Sequence, residues 1–388
     1  MKKILAVTGI RSEYDILFPV IDYLRHDPAF DVSLAVCSAH LSEWHGQTLA
    51  QIEADGFRIA DRIDSLFMTD RLTQRPKGTG MLIYSLSQTV EREKPDFLLV
   101  VGDREESIAT AVVGNYMKVL TVHIGGGDPV FGNADDPIRM AVTKLSHIHF
   151  ATARQYADNL LRLSEDPFRV VFSGNPALTN IKNTPQKSLT ELSRYIDFDI
   201  TDGKYIVLIK HPLSSEQEDA YNQMKVTLEA LEVFCDRYQY KVVASYPNTD
   251  PGSYGILDAV GEFSKKKFIR FNKTLPRDFF VNLMRNATAL AGNSSMGILE
   301  APFYRLPVVN IGNRQQGRLN AGNVKFVKHE APEIVAALEQ ACLDETYRKH
   351  VGSLENPYGN GDAPEIIGDT LRKIDPKDPS WLTKTKLC

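Results

Sequence analysis

Short apolar runs recur along this chain with room for one amphipathic helix between many of them, and the pattern occurs twice. Ile4–Thr8, Val32–Cys37, Phe97–Val101, Val119–Ile124, Ile148–Thr152 and Val170–Phe172 are short and almost wholly apolar. They read as parallel strands buried on both faces. A polar stretch from Asn175 to Lys204 follows, with Pro176 and Pro185 in it. The alternation then restarts with Tyr205–Ile209, Lys241–Ser245, Phe268–Phe271, Thr288–Ala291 and Val308–Ile311, and helices are predicted near Glu216–Cys235, Arg277–Met284, Met296–Phe303 and Pro332–Cys342. Such alternation specifies an α/β chain with one doubly wound, Rossmann-like sheet in each half. At 388 residues the chain also exceeds what one core usually serves. The expected division is an N-terminal domain over 1–180, a C-terminal domain over 181–362 and a terminal segment over 363–388. In that last segment, the amphipathic pattern Ala363–Ile374 predicts a helix able to pack back on the first domain. Facing domains of this kind enclose a cleft lined by strand carboxyl ends, which is where functional residues are to be sought.

Composition narrows the partners. A net charge of −4 gives no attraction to nucleic acid or to an acidic membrane surface. Phosphate recognition would therefore rest on local Arg, Lys and backbone N–H groups. The cysteines, Cys37, Cys235, Cys342 and Cys388, lack CxxC spacing and indicate neither a disulfide framework nor a zinc site. The opening Met1-Lys2-Lys3 is basic and followed by apolar residues, but Arg11, Glu13 and Asp15 interrupt any signal-peptide core. A cytoplasmic location is expected, and nothing approaches a transmembrane span.

Five motifs stand at or just after predicted strands. Gly9 to Asp15 is a glycine turn entering a helix beside Arg11. It is not GxGxxG, so a dinucleotide fingerprint is not supported, although the turn can receive a phosphate or a nucleotide edge. Gly102-Asp103-Arg104 puts a carboxylate at a strand end; Asp103 could point into the crevice, cap the next helix, or do both. Arg104 could screen that acid or face a phosphate. His123 to Phe150 runs from a strand through three glycines and Asp128 to Asp135 and Asp136, which open a helix with Pro137 at its expected first position. Ile138, Ala141, Val142 and Leu145 form its apolar stripe, while Asp136, Arg139 and Thr143 lie opposite, with Asp135 beside them. Two acids and a guanidinium there suit proton transfer, but an Asp135–Arg139 i,i+4 pair at a helix start accounts for them equally well. Lys210-His211-Pro212 places a histidine at a strand end, a position more often structural than catalytic. The strongest motif is Gly292-Asn293-Ser294-Ser295, leading into a helix that contains Glu300, with Arg314 and Arg318 after the next strand. Ordinary serine capping explains each piece; convergence on one anion explains them together.

These motifs together resemble the hydrolysing UDP-N-acetylglucosamine 2-epimerases of sialic and nonulosonic acid synthesis. The resemblance spans nearly the whole chain: Gly9–Asp15, Gly102–Glu105, His123–Phe150, His211-Pro212, Tyr246-Pro247-Asn248, Gly292–Pro302, Asn310–Arg318 and Tyr358–Gly361. It implies a GT-B-like fold, a UDP-sugar substrate, no metal or other cofactor, and a homodimer or homotetramer. It also implies removal of the C2 proton, anti elimination of UDP through a 2-acetamidoglucal, then hydration to N-acetylmannosamine. Carried over by position, it puts Asp103, Asp128, Asp135, Asp136, Arg139 and His211 at the chemistry. Arg11, His40, Arg104, Asn248, Gly292, Ser294, Ser295, Glu300, Arg314 and Arg318 fall to the UDP and sugar. The chain departs from the pattern at Gly125, where the family commonly carries Glu or His, at Asp128 in place of Glu, and at Met140 in place of a frequent His. Either another acid covers the role lost at Gly125, or the pocket is widened for a modified sugar such as UDP-N,N′-diacetylbacillosamine. Ile16 and Lys210–Ser214 differ from the non-hydrolysing branch of the family. The competing readings are a glycosyltransferase of the same fold and a UDP-sugar-binding regulatory protein without turnover.

Overall fold

The computed structural model describes the chain except residues 44–47, 68–72, 130–134, 249–251, 274 and 386–388; for 135, 136 and 214 it describes the backbone alone. The chain forms two compact units, Met1–Lys182 with Tyr358–Cys388, and Asn183–Pro357.

The first unit holds seven strands: β1 (Lys2–Thr8), β2 (Phe30–Cys37), β3 (Arg58–Ile63), β4 (Phe97–Val101), β5 (Leu120–Ile124), β6 (Ile148–Ala151) and β7 (Val170–Phe172). They pair in parallel in the order β3-β2-β1-β4-β5-β6-β7. Alternate residues of each strand feed opposite faces. Ile4, Ala6, Phe97 and Leu99 pack with helix Arg11–Arg25, whereas Leu5, Val7, Leu98 and Val100 pack with helices Gln74–Glu93 and Glu105–Met117. Helix Ala363–Lys373 buries Ile367 and Leu371 in the first of these cores, beside helix Arg11–Arg25. The chain joins this unit at Tyr358, before the boundary at 362 expected from sequence. Tyr358 is buried; its carbonyl accepts from the Asn175 N–H at 2.7 Å and its hydroxyl meets that of Tyr156 at 2.8 Å.

The second unit holds β8 (Tyr205–Ile209), β9 (Lys241–Ser245), β10 (Ile269–Asn272), β11 (Ala289–Gly292), β12 (Val308–Ile311) and β13 (Val324–Val327), in the order β10-β9-β8-β11-β12-β13, all parallel. Both sheets thus reverse strand order beside their first strand, between β1 and β4 and between β8 and β11. Loops leaving strands on either side of such a switch splay apart and open a crevice.

Two strands were not foreseen, β3 and β13. Both are sheet edges, and β3 alternates charge with apolar residues (Arg58, Asp61 and Arg62). Edge strands need no continuous apolar run, so the pattern that reveals buried strands can miss them, as it does here but not at the edges β7 and β10. Among the described residues no helix is long and apolar enough to cross a membrane.

Candidate active site

In the first unit the loops after β1 and β4 flank the switch. Asp103 follows Gly102 at the end of β4. It is not the helix cap: helix Glu105–Met117 has Arg104 as its N-cap residue, with no side-chain cap. Asp103 instead pairs with Arg139, whose side chain is 11% exposed against 16% for the acid. Arg139 also donates to the Gly125 carbonyl at 2.6 Å. One guanidinium therefore ties the turn after β5 to the acid after β4 (a pairing different from the local Asp135–Arg139 bridge). A carboxylate so held is oriented, as a base or charge stabiliser must be.

Helix Asp135–Leu145 begins at Asp135, so Pro137 sits third rather than first. On its polar side, Thr143 is fully buried and the Arg139 side chain nearly so. The side chains of Asp135 and Asp136 lie outside the described residues; their backbone opens the helix that carries Arg139. Asp128 is 8% exposed at the end of the glycine turn. Gly125 has φ +86°, and a Cβ there would find Arg139 at 3.8 Å as its nearest contact.

Arg104 lies 3.7 Å from Glu105 and 3.9 Å from Glu106, beside a small pocket that Ser38, Ser65, Arg75 and Gly9 help to line. Burial, and then the Glu106 carboxylate, push the Glu13 carboxyl well above the usual range. Arg11 starts its helix and pairs with Asp15 at 3.6 Å. His40 is wholly buried, with Nε2 3.0 Å from the Thr8 hydroxyl and Nδ1 2.5 Å from that of Thr48.

In the second unit Lys210 and His211 leave β8 and Asn293 leaves β11, again on either side of the switch. Asn293 is the pivot, and sequence reasoning did not single it out. Its Oδ1 accepts from the His211 N–H at 2.7 Å and its Nδ2 donates to the His211 carbonyl at 2.8 Å. Its own carbonyl accepts from Arg314 at 3.3 Å and Gln315 at 3.2 Å. An amide offers both donor and acceptor, which two crossing loops require; the only signal in the sequence is an Asn after a strand-end glycine. His211 Nδ1 accepts from the Asn248 N–H at 3.0 Å, which leaves the proton on Nε2. Burial, helped by Arg314, lowers His211 to about 4, so the ring is a neutral donor at pH 7.

The serine segment differs from expectation in one respect. Its helix is a single turn, Met296–Leu299, not a helix to Phe303, and Glu300 is its C-cap residue. One turn has little macrodipole, so anion binding here would rest on Ser294, Ser295 and the arginines. Ser294 is buried and its hydroxyl accepts from the Met296 N–H at 3.4 Å. Arg318 donates to the Gln315 side chain at 3.1 Å. Gly292 serves the backbone: φ is +125° and a Cβ would lie 2.0 Å from the Ile209 carbonyl. Lys210, almost wholly buried, contacts His329 Nε2 at 2.9 Å, and burial lowers it to about 7. No group of three His, Cys, Asp or Glu that could hold a metal occurs among the described residues.

Residues 22–372 match the family of UDP-N-acetylglucosamine 2-epimerases. The chain belongs to that family. It is 29% identical to the UDP-N,N′-diacetylbacillosamine 2-epimerase (hydrolyzing) of Legionella pneumophila, over 96% of each chain. With the GDP/UDP-N,N′-diacetylbacillosamine 2-epimerase (hydrolyzing) of Campylobacter jejuni it shares 30% over 83% of each. The crystal structure of UDP-GlcNAc 2-epimerase from Neisseria meningitidis bound to UDP-GlcNAc superposes with a TM-score of 0.79 at 24% identity, covering 96% of this chain and all of that one. In this 2-epimerase family member the expected two-sheet, Rossmann-like architecture therefore holds.

Proposed function

We propose that this enzyme is a hydrolysing 2-epimerase that converts a UDP-linked 2-acetamido sugar into UDP and the free manno-configured sugar. The observation that carries this reading is the Asp103–Arg139 pair, an oriented carboxylate at the switch of the first sheet. In the proposed reaction a carboxylate of the set Asp103, Asp128 and Asp135 takes the C2 proton. The C2–H electrons form a C1=C2 double bond while the C1–O bond to the diphosphate breaks, and UDP leaves. Water then adds its hydroxyl to C1, and an acid returns a proton to C2 from the opposite face. The second unit supplies the UDP groups: Ser294, Ser295, Arg314 and Arg318 for charge, and the neutral His211 Nε2–H as a donor to the departing diphosphate. Asn248, Glu300 and Arg11 complete the nucleotide and sugar contacts of this reading.

The sugar itself has two candidates. UDP-N-acetylglucosamine is the simpler one. A 4-acetamido sugar, UDP-N,N′-diacetylbacillosamine, is favoured by the missing side chain at Gly125 and by the names of the Legionella and Campylobacter relatives. Proton NMR of the enzyme with each UDP-sugar in deuterated water tests both. UDP release with a free manno sugar deuterated at C2 supports the reading, and the faster substrate identifies the sugar. Retention of the nucleotide on the epimerised sugar would make the enzyme non-hydrolysing. UDP binding without turnover on either sugar would make it a binding protein.

A further inference from the structure

Beneath the Asp103–Arg139 pair lies a buried set of charges that the proposed reaction does not use. Glu165, 2% exposed, follows helix Arg154–Arg162. It accepts from Lys384 Nζ at 2.7 Å and from His149 Nε2 at 3.1 Å, and Lys144 Nζ lies 3.2 Å away. Lys384 also donates to the carbonyl of Thr143 at 3.0 Å. That carbonyl is in the last turn of helix Asp135–Leu145, one turn beyond Arg139, where carbonyls lack intrahelical partners and favour a cation. His149, on β6 beside the edge strand β7, packs edge-on against His123 of β5 with ring centroids 6.4 Å apart. His123 Nε2 donates to the Gly102 carbonyl at 2.7 Å, immediately before Asp103. Arg169, wholly buried, holds the end of the chain in place by donating to the carbonyls of Ser380, Trp381 and Thr383 at 2.7, 2.6 and 2.7 Å.

We infer that Lys384, Glu165, His149 and His123 are positioning residues: a buried relay from the end of the chain that fixes both partners of the Asp103–Arg139 pair. One arm, Lys384 to Thr143, sets the helix that carries Arg139. The other, through Glu165, His149 and His123, sets the Gly102 carbonyl that precedes Asp103. Charges buried only to staple the segment down would be a poor choice, because a well-packed apolar contact serves that purpose at least as well. An apolar contact is in fact present there, between partly buried Trp381 and exposed Phe168, with ring centroids 5.0 Å apart. Burial keeps His149 neutral, and Lys384 and Arg169 reinforce that while Glu165 opposes it. His147 and His123 are the other titratable groups facing it, and Lys144 reaches it only through Glu165. Removing the Lys384 charge therefore raises the pH at which His149 takes a proton.

This inference rests on the proposed reaction, and the test separates the two. Steady-state kinetics across pH, UDP affinity by calorimetry and thermal melting are compared for the wild-type chain, Lys384→Met, Lys384→Gln, Lys384→Arg and Trp381→Ala. A misplacement of about 1 Å can cost about 100-fold in rate, so Lys384→Met is expected to lower kcat by roughly 10- to 100-fold. KM and UDP affinity should stay within about threefold, because the loss is one of orientation rather than binding. The acid limb of kcat should move to higher pH, and Lys384→Arg should restore most of the rate. Trp381→Ala should melt earlier with kcat unchanged. Wild-type kcat and pH profile in Lys384→Met would overturn the relay. So would failure of both Lys384→Met and Lys384→Gln to fold while Trp381→Ala folds, since the role would then be a staple. If the wild type turns over neither sugar, the reaction is wrong, and the relay is read instead from 15N-histidine NMR. There Lys384→Met must raise the His149 titration and shift the His123 signals; unchanged histidines would overturn it.

Discussion

The two units share one strand order about their switch, yet their strand ends are chemically opposite. In the first unit the groups are acids beside guanidinium groups: Asp103 with Arg139, and Glu105 and Glu106 beside Arg104. In the second they are mostly neutral dipoles: the Asn293 amide, the His211 ring held as an Nε2–H donor, and the Ser294 hydroxyl, with Arg314 as the nearby cation. The frame decides where a site can be; the loops decide what it does. Fixed charges with a locked guanidinium suit moving a proton, and preorganised dipoles suit holding an anion that leaves.

That contrast can be broken most directly at Asp103. Asp103→Asn should lower kcat by about 1,000-fold, within the range of lost acid–base catalysis, with UDP affinity within about threefold by calorimetry. A matching loss of UDP affinity would erase the division of labour. The next largest effect is on stability against pH. His40 and His147 are lowered to about 4 and His123 to about 3 in the first unit, and His211 and His329 to about 4 in the second, all chiefly by burial. Folded values below the unfolded value of about 6.5 mean the unfolded chain takes up protons the fold refuses. Their penalty is absent above pH 6.5 and grows as pH falls toward 4, by up to about 1.4 kcal/mol per pH unit for each buried ring. Urea unfolding at pH 7 and pH 5 should show the first unit losing more than the second. Equal losses would mean that the histidines of the first unit are not held neutral.

Smaller still, Arg314→Ala should weaken UDP binding by about 10- to 30-fold, the worth of one charged hydrogen bond to phosphate. C2 exchange at saturating substrate should be largely retained, as deuterium incorporation would show. The smallest change belongs to Gly125→Ala. Space is available, but φ +86° penalises a side chain, so a loss of about 1 kcal/mol in thermal or urea unfolding is expected. A larger loss would show that the turn after β5 is packed as well as strained.

Much of this was legible in the sequence because burial on both faces leaves a signature. β8, β9 and β12 match their apolar runs residue for residue. The edge strands β3 and β13 were silent for the same reason, since one side of an edge carries no burial demand. In the candidate site, the strand-end positions of Asp103, His211 and Ser294 could be read, because turns follow strands at glycines. Their partners could not. Arg139 is 36 residues from Asp103, and Asn293 is 82 from His211. Helical spacing offers only Asp135 as a partner for Arg139, because only local pairs have fixed geometry in sequence; the Asp135 side chain lies outside the described residues. Nor does the sequence around His40 reveal that Thr8 and Thr48 meet its ring nitrogens.

The sequence by itself determined the two alternating halves, the parallel sheets, the strand ends that carry the candidate site residues and, through the resemblance of its motifs, the family to which the chain belongs. The first three follow from periodicity and composition, which are properties of short windows. Only the tertiary structure decided which charges pair, which histidines are neutral and how Lys384 comes to rest beside Glu165, 219 residues away. Pairing and protonation depend on distances and burial, and both are set only when remote segments meet.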